Sequence, residues 1–528
     1  MEYTIFVNQI GYAKNNLKTA YVKGVSENDS FELYSKDGQI VYTGKLGKPV
    51  SDEISGETTC AADFSSFDEE GVYYLGVQDS KSCCFKIGTG IFNPVYTSVL
   101  RYFYLSRCGQ RIDDKFFGHE ACHNIPALIY GTEIKKSVDG GWHDAGDYGR
   151  YIIAAAKAVM DLLLAYRECS GSYDDFDILS EVRFELDWML KMQREDGGVY
   201  HKVSCYHFCS YILPQDEKDE LVISPVSTAA TADFAGCLAF ASTFFEASDK
   251  DYAKMLLNAA IKAQNYIDKN KDELFMNPPE ITTGGYGDWS IFDEKYFALS
   301  SLYVVTKKKD YLTKALKIRK KGRIKKDDPS VPWKKYWYFS FGWSCVSGYA
   351  SQLLIENREL LSEEQIKDIE TEVIENADKI LSMIEKSAFG AGLERVFWGS
   401  NGQVCDEAHV LLLAYDITKN RKYYSGALKQ LDYLFGCNPL ELCYVTGNGI
   451  KSPKHCHHRP SIFLKKIMPG MLAGGPCFPL IDEAAKKYLK NKPMLSCFID
   501  KDESYSTNEV AIYWNSTLVH LIAKLKLV

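Results

Sequence analysis

The sequence predicts a mostly α-helical protein in which a barrel of helices follows a small all-β sandwich. Three observations predict this fold class. Short strand-like runs between turn residues fill positions 1–88, apolar residues then recur with a helical period, and long loops separate the helical segments. A chain of 528 residues is ample for cores in both parts, which we predict as domains 1–88 and 93–528.

Seven strand-like runs predict the sandwich. Turn residues such as Lys36-Asp37-Gly38 and Glu69-Glu70-Gly71 separate them, and so many strands in so few residues are typical of a small sandwich. The predicted strands are 3–7, 19–22, 31–34, 41–44, 58–63, 71–77 and 83–87.

Helical periodicity begins after a Gly/Pro hinge at 88–94. About a dozen helices separated by long loops favour a barrel over a bundle with short connections, and loops of such length usually carry function. The long loops are 195–225, 276–290, 322–343, 388–404 and 437–480. The clearest predicted helices are 93–107, 150–168, 176–194, 227–248, 251–269, 362–385, 407–417, 421–435 and 508–525.

The composition excludes several classes of protein. Hydrophobic residues make up 46% and charged residues 25%, as in ordinary soluble proteins. The formal net charge of −8 argues against nucleic-acid binding, which needs a basic face. No run of 18 apolar residues predicts a membrane span. Because no signal peptide follows Met1 and the 16 Cys are sparse, we expect a cytoplasmic protein, or a secreted one if an export signal was removed. The sequence does not indicate the oligomeric state.

The first chemistry-bearing segment is GGWHDAGD at 140–147. Its carboxylates, Asp144 and Asp147, can project from the first turn of the following helix toward one cleft. Because close carboxylates repel, the pKa of at least one should depart from its ordinary value, which is a way to obtain a base beside an ion. The alternative is that one of them only caps the helix.

The second segment contains Glu509, which the pattern places at the start of the last helix behind Ser506-Thr507-Asn508. A carboxyl held among Tyr505, Trp514 and apolar residues would be poorly solvated. Its pKa would therefore rise, as suits a general acid at neutral pH. The alternative is a first-turn residue favoured by the helix dipole.

A glycine-rich loop supplies the third segment. His457 and Arg459 follow the glycines of 445–449 and can donate hydrogen bonds to hydroxyls or to an anion. Arg459 can equally form a structural ion pair.

Two thiols and two imidazoles form the fourth group. Cys108, Cys122, His123 and His143 offer the donors of a tetrahedral zinc site, with His119 as a rival ligand. The spacing is not that of a short zinc finger. Scattered buried Cys and surface His are therefore the alternative.

Together these segments resemble glycoside hydrolase family 9, the inverting cellulases and related β-glycosidases. The resemblance is closest to members with an N-terminal immunoglobulin-like module. It implies a six-fold α/α barrel behind an immunoglobulin-like sandwich, and an oligosaccharide substrate. The matching stretches, in the family's order, are 7–12 (VNQIGY), 140–147, 198–203 (GVYHKV), 224–234, 398–401 (WGSN), 444–449 (YVTGNG), 457–459 (HHR), 469–475 and 504–516.

The resemblance also implies catalytic roles. Asp147 matches the base, Asp144 helps to hold the attacking water, and Glu509 matches the general acid. An inverting pair of carboxyls should lie roughly 6.5–9.5 Å apart, so that a water molecule fits.

Further roles follow from the same resemblance. His457 and Arg459 match residues that bind sugar hydroxyls, while Tyr505 and Asp500 match conserved positions upstream of the acid. The Cys and His group matches the structural zinc ligands of the module-bearing members, a closed site that would staple the loop carrying the aspartates. Many relatives also bind calcium, for which the sequence assigns no ligands.

Aromatic side chains are candidates for sugar platforms. Trp343 and Trp398 lie in loops that we expect to face the cleft, as do Trp289 and Tyr206. Each is either a platform for a sugar ring or a packing residue.

The expected cytoplasmic location limits the substrate to short imported oligosaccharides. Exo-acting cleavage of cellodextrins is the first hypothesis. The second is an exo-β-glucosaminidase on chitosan oligosaccharides, because Asp406 and Glu407 replace a usually uncharged stretch and a carboxylate suits a C2 ammonium; alternatively both acids are solvated and irrelevant. The third is a non-catalytic sugar-binding protein, against which the intact acidic residues argue.

Overall fold

The computed structural model describes residues 3–27, 29–169, 176–323 and 339–528. It divides into two compact units. The first contains Met1–Tyr102, Glu168–Phe176 and Glu375–Val528, and the second contains Phe103–Arg167 and Asp177–Ile374. Across the described ranges, no helix combines the length and the hydropathy that crossing a membrane requires.

A β-sandwich begins the first unit. Its strands pair in the order β1-β3-β6-β5-β4-β7-β9-β2, with β8 beside β7. Both layers contribute to one core, in which Val22, Phe31 and Leu75 are completely buried. The strands are β1 (Thr4–Phe6), β2 (Tyr12–Ala13), β3 (Thr19–Lys23), β4 (Ser30–Ser35), β5 (Ile40–Asp52), β6 (Glu57–Asp63), β7 (Gly71–Val77), β8 (Ser80–Lys81) and β9 (Phe85–Gly88).

Strand β5 is much longer than the predicted strand 41–44, and Gly44 lies inside it as a packing position. A Cβ at Gly44 would lie 2.3 Å from the Phe31 ring, so glycine is required there to admit the ring. The strand continues past it and joins the two layers, since its first half pairs with β4 and its second half with β6.

Helices dominate the rest of the chain. In the second unit α4 packs against α5 and α6, and α6 also packs against α7 and α8; in the first unit α10 packs against α11 and α15. The helices are α1 (Asn93–Leu105), α2 (Ile152–Glu168), α3 (Ile178–Lys191), α4 (Thr228–Phe245), α5 (Lys250–Lys269), α6 (Phe292–Thr306), α7 (Lys309–Gly322), α8 (Ser347–Glu356), α9 (Glu363–Lys386), α10 (Ser400–Thr418), α11 (Arg421–Leu434), α12 (Arg459–Leu464), α13 (Glu483–Tyr488), α14 (Tyr505–Asn508) and α15 (Ile512–Lys524).

A small mixed sheet in the second unit supports the acidic segment. Its strands pair in the order β11-β10-β14-β13-β12. They are β10 (Ala127–Ile129), β11 (Lys135–Lys136), β12 (Arg150–Tyr151), β13 (Lys202–Cys205) and β14 (Leu221–Ile223). Because β12 pairs with β13, the helix predicted from 150 begins only at Ile152.

Two other predicted helices differ from the structure. The predicted helix 407–417 begins earlier, at Ser400, since Gly399 takes a left-handed turn and Gly402 packs against the Trp514 ring. The predicted helix 508–525 is divided into α14 and α15, with Glu509 in extended backbone between them. Most of the predicted loop 322–343 lies outside the described residues.

Within the first unit, the sandwich is tied to α11 and to the segment that follows it. The Asn8 side chain donates to the Asp432 carboxylate at 2.8 Å, and burial raises the pKa of that carboxyl to about 7. The Gln9 side-chain oxygen accepts from the backbone N–H groups of Ile450 and Lys451, both at 2.9 Å. The VNQIGY stretch therefore anchors the loop that leads toward His457.

Candidate active site

Asp144 and Asp147 lie on an irregular loop that ends at β12, and not in the first turn of a helix as the spacing suggested. The Asp144 N–H donates to the Gly149 carbonyl at 3.0 Å and closes the loop on itself. Both carboxylates are buried, with exposed fractions of 1% for Asp144 and 8% for Asp147.

Helix α3 and Arg150 hold this loop in place. The Trp142 N–H donates to Glu185 at 2.6 Å, and the Trp142 indole donates to Glu181 at 2.7 Å. The Arg150 guanidinium donates to the carbonyls of Val138 and Gly140 at 2.7 and 2.6 Å. The backbone that carries the two aspartates is thus bound on both sides by buried charged groups.

Each aspartate has its own hydrogen-bond partners. One Asp147 oxygen accepts from the Gly149 N–H at 3.0 Å and from the Tyr151 hydroxyl at 3.3 Å. One Asp144 oxygen accepts from the Tyr286 hydroxyl at 2.6 Å, and the other has no hydrogen-bond partner among the described residues. Burial, followed by the charge of Asp147, raises the pKa of Asp144 well above its ordinary value.

We predict that Gly149→Ala sharply lowers activity. A Cβ at Gly149 would lie 2.6 Å from the Tyr151 hydroxyl and 2.8 Å from an Asp147 oxygen, so the carboxylate must move. Misplacing a catalytic group by about 1 Å costs on the order of 100-fold in kcat. Steady-state kinetics check this prediction, with Gly47→Ala as the control for adding a methyl group, because a Cβ at Gly47 would make only ordinary contacts with Ala61, at 3.6 and 4.0 Å. Activity above half of wild type in Gly149→Ala would contradict it.

The predicted aromatic platforms lie in different surroundings. The Trp343 ring contacts Tyr286 edge-on, with ring centres 5.0 Å apart, and so supports the tyrosine that binds Asp144. Trp289 is 58% exposed. The backbone of Tyr206 is held by a hydrogen bond that its carbonyl accepts from the Thr282 N–H. Among these residues, Trp289 offers the largest open face.

The four predicted metal ligands form one buried cluster in the second unit. Their donor atoms all lie within 4.8 Å of one another, and His119 is not part of this group. The Cys108 and Cys122 sulfurs are 3.8 Å apart, the Cys108 sulfur is 3.6 Å from His123 Nδ1, and the Cys122 sulfur is 3.6 Å from His143 Nε2. Tetrahedral zinc requires S–S and S–N edges of about 3.8 and 3.6 Å, so these residues fit the ion.

The chemistry of the donors fits as well. Burial raises the pKa of Cys108, but the hydrogen bond from Cys122 and the nearby Arg150 charge bring it well below that of an ordinary thiol. His123 Nε2 donates to the Glu217 carboxylate at 2.9 Å, which leaves Nδ1 directed at Cys108. Sequence analysis missed Glu217, since nothing in its neighbourhood marks it as a partner of a distant histidine.

Glu509 lies in the first unit, between two other extended segments. Its backbone carbonyl accepts from the Gly474 N–H at 2.8 Å, while the His457 N–H donates to the Asn508 carbonyl at 2.9 Å on the other side. The backbone on both sides therefore positions Glu509, and the predicted helix start does not.

An aromatic row follows the same segment. The Tyr505 ring lies 5.1 Å from the ring of Trp398 and 6.1 Å from that of His457, and Trp398 is 44% exposed. His457 Nδ1 donates to the Asp502 carbonyl at 2.5 Å, which sets the orientation of the imidazole. Arg459 begins α12 and is almost fully buried.

Asp500 ties the segments of this site together. Its carboxylate accepts from the backbone N–H groups of Lys454 and His455, both at 2.8 Å, and from the Asn508 side chain at 3.2 Å. It therefore connects the loop before His457 to the segment before Glu509.

Asp406 and Glu407 both lie within α10. The Thr517 hydroxyl donates to Asp406 at 2.9 Å, and the Gln403 side chain donates to Glu407 at 3.0 Å. Burial raises the pKa of Glu407 to about 8.

A buried acidic cluster in the second unit was missed by sequence analysis. Asp233 lies on α4, Asp293 and Glu294 begin α6, and Asp288 precedes that helix. Both oxygens of Asp233 and of Glu294 lack hydrogen-bond partners in the described part of the chain. Burial raises the pKa of all four carboxyls, to about 7 for Asp288 and about 6 for Asp293. Such a set of oxygen donors suits a hard cation.

Comparisons with known proteins agree with this architecture. The family model described as glycosyl hydrolase family 9 matches residues 92–522, and the model described as cellulase N-terminal ig-like domain matches residues 2–82. A cellodextrinase from Butyrivibrio fibrisolvens is 34% identical over 98% of this chain and 99% of its own length. The predicted fold class, a mostly α protein with an α/α barrel behind an immunoglobulin-like sandwich, is confirmed.

Solved structures give the same result. A thermostable endoglucanase from Alicyclobacillus acidocaldarius, crystallised as a single mutant, has a TM-score of 0.90 and 33% identity, with 99% of each chain covered. A zinc-binding triple mutant of the GH family 9 endoglucanase J30 has a TM-score of 0.90 and 28% identity, covering 98% of this chain and 99% of that one.

Proposed function

Since the chain belongs to glycosyl hydrolase family 9, we propose that it cleaves short cellodextrins from one end, with inversion at the anomeric carbon. The protein is a glycoside hydrolase that acts on β-1,4-glucan. The observation that carries the finer proposal is the match over nearly the full length of both chains with a cellodextrinase. Proposed cytoplasmic residence favours the same short substrates.

We assign the catalytic roles as follows. Glu509 protonates the leaving glycosidic oxygen, and Asp147 deprotonates the water that attacks the anomeric carbon. Two hydrogen-bond donors hold Asp147 in place, and the unpartnered oxygen of Asp144 is available to hold the water. His457 and Arg459 bind sugar hydroxyls, while Trp398 and Tyr505 offer ring faces to the sugar.

Two metal sites complete the proposal. The Cys108, Cys122, His123 and His143 cluster holds a structural zinc ion, which has no open position for substrate when four protein ligands bind it. The second site is the acidic cluster around Glu294, where the calcium common in this family would neutralise buried carboxylates. Both metals would stabilise loops of the second unit.

Product analysis tests the function. Cellotetraose is incubated with the protein, products are separated by chromatography, and the anomer formed first is identified by proton NMR. We expect α-anomeric product, with glucose or cellobiose alone from the earliest time point. Initial β-anomer would overturn inversion, a ladder of products would overturn exo action, and inertness toward cellodextrins would overturn the function itself.

The glucosaminidase alternative has little support. It depended on Asp406 and Glu407, which accept hydrogen bonds from Thr517 and Gln403, and the similar proteins reported above are a cellodextrinase and endoglucanases. Comparing p-nitrophenyl glucoside, cellobioside and glucosaminide checks this, and we expect no turnover of the glucosaminide.

A further inference from the structure

Lys202 is a fully buried lysine whose direct partners are all uncharged. Its exposed fraction is 0%. Nζ donates to the Thr283 hydroxyl at 2.9 Å, to the Thr283 carbonyl at 3.3 Å and to the Gly284 carbonyl. Burying an ammonium group is costly unless a negative charge compensates it or the group loses its proton, and these direct contacts supply no negative charge.

The strand register directs Lys202 toward the acidic loop. Lys202 of β13 is the antiparallel partner of Tyr151 of β12, and paired residues share one face of a sheet. Lys202 Nζ lies 5.4 Å from the centre of the Tyr151 ring, whose hydroxyl donates to Asp147. Tyr151 therefore links the two groups, since its ring lies beside the ammonium and its hydroxyl binds the Asp147 carboxylate.

Charge effects point to the same pair. Burial lowers the pKa of Lys202 to about 7, and the negative charge of Asp147 opposes this change. Because the interaction between two charges is mutual, the positive charge of Lys202 attracts the negative charge of Asp147.

The other ionisable groups on this side do not supply positive charge. Asp144 and Tyr151 also interact with Asp147, and Tyr286 binds Asp144. His201 is bound by Ser227 and by the Gly285 carbonyl, and burial lowers its pKa to about 3, so it stays neutral. Of these groups, only Lys202 carries positive charge between about pH 3 and pH 7.

We propose that Lys202 is a positioning residue for Asp147: its charge favours the ionised carboxylate, and its hydrogen bonds hold the 283–286 loop from which Tyr286 reaches Asp144. The inference rests on the proposed function, because it concerns the proposed base. It assigns a role to a residue that itself makes no contact with the reacting atoms.

The pH dependence of kcat/KM on cellotetraose tests this role in three variants. Lys202→Gln keeps a hydrogen-bond donor but removes the charge, so the acidic limb should move upward by about one pH unit, as expected for losing one nearby charge. Lys202→Arg should restore the wild-type limb. The control is Lys157→Met, which also removes a buried lysine, one that is paired directly with Asp161 at 2.9 Å. In this variant the acidic limb of the kcat/KM profile should stay in place while the Tm falls.

Two outcomes would overturn the inference. One is an acidic limb of Lys202→Gln within 0.2 pH units of wild type, a margin of about 0.3 kcal/mol. The other is an equal displacement in Lys157→Met, which would indicate a general effect of destabilisation.

A second measurement does not depend on activity or on the folding of Lys202→Gln. The ¹⁵Nζ resonance of Lys202, identified by its absence from Lys202→Arg, is titrated in wild type and in Asp147→Asn. Its midpoint should fall by about one pH unit in Asp147→Asn, because the opposing negative charge is gone. An unchanged midpoint would overturn the inference. Absence of glucan hydrolysis by wild type would instead overturn the proposed function, and the titration would still decide the coupling.

Discussion

Glu509→Gln is expected to abolish hydrolysis of cellotetraose and to leave binding of the sugar intact. Glutamine has nearly the same shape as glutamate but cannot donate an acidic proton to the leaving oxygen. General acid catalysis contributes about 100- to 10,000-fold, so kcat should fall by that range. The surrounding backbone hydrogen bonds, such as Gly474 N–H to the Glu509 carbonyl, do not use the side chain and should survive.

The leaving group separates an acid from a merely structural residue. Nitrophenolate departs without protonation, so the decrease in kcat caused by Glu509→Gln should be much smaller with p-nitrophenyl cellobioside than with cellotetraose. Asp147→Asn should impair both substrates, since activation of water is needed for each. Kinetics and calorimetric titration of cellobiose provide the measurements.

The matched control is Glu503→Gln, an exposed glutamate six residues earlier in the same segment. It should retain wild-type kinetics. Retention of more than a tenth of the kcat on cellotetraose by Glu509→Gln would remove this residue from the role of acid, and so would equal losses on the two substrates.

Cys108→Ser is expected to release the bound metal and to lower the Tm by about 5–10 °C. A structural metal contributes its binding free energy to folding, and about 1 kcal/mol corresponds to roughly 2–4 °C for units of 150–250 residues. The loop between Cys108 and His143 leads directly to Asp144, so activity should fall as well. Elemental analysis and scanning calorimetry measure these effects.

Two further variants sharpen this experiment. Cys237→Ser changes a buried cysteine outside the cluster and should keep the metal. Glu217→Gln weakens the partner of His123 and should reduce metal affinity by about 10- to 100-fold in a folded protein. Purified wild-type protein without zinc would contradict the assignment, as would equal Tm losses in Cys108→Ser and Cys237→Ser.

Local pattern sufficed for much of the fold. Apolar periodicity located α5 and α11 to within one residue at either end, because each is an amphipathic helix with a side-chain cap at its start. Seven of the nine strands of the sandwich were likewise predicted; the two-residue strands β2 and β8 and the extension of β5 past Gly44 were not. Motif order along the chain indicated the family, which the comparisons confirm.

The local structure around the acidic residues could not be predicted from the sequence. Asp144, Asp147 and Glu509 each precede a helical pattern, and the sequence alone put them in first turns. The structure instead holds the aspartates through the pairing of β12 with β13, and holds Glu509 between residues 457 and 474. Those partners are distant along the chain, and no local signal encodes them.

The sequence by itself determined the fold class, the family and the residue types available for catalysis and metal binding, because these depend on local periodicity and on motifs. Only the tertiary structure decided which side chains act on one another: Lys202 on the Tyr151 ring, Glu217 on His123, and Asp233 on Glu294. The physical reason is that burial and charge depend on neighbours in space. Lys202 reaches Tyr151, whose hydroxyl binds Asp147, only because two strands align.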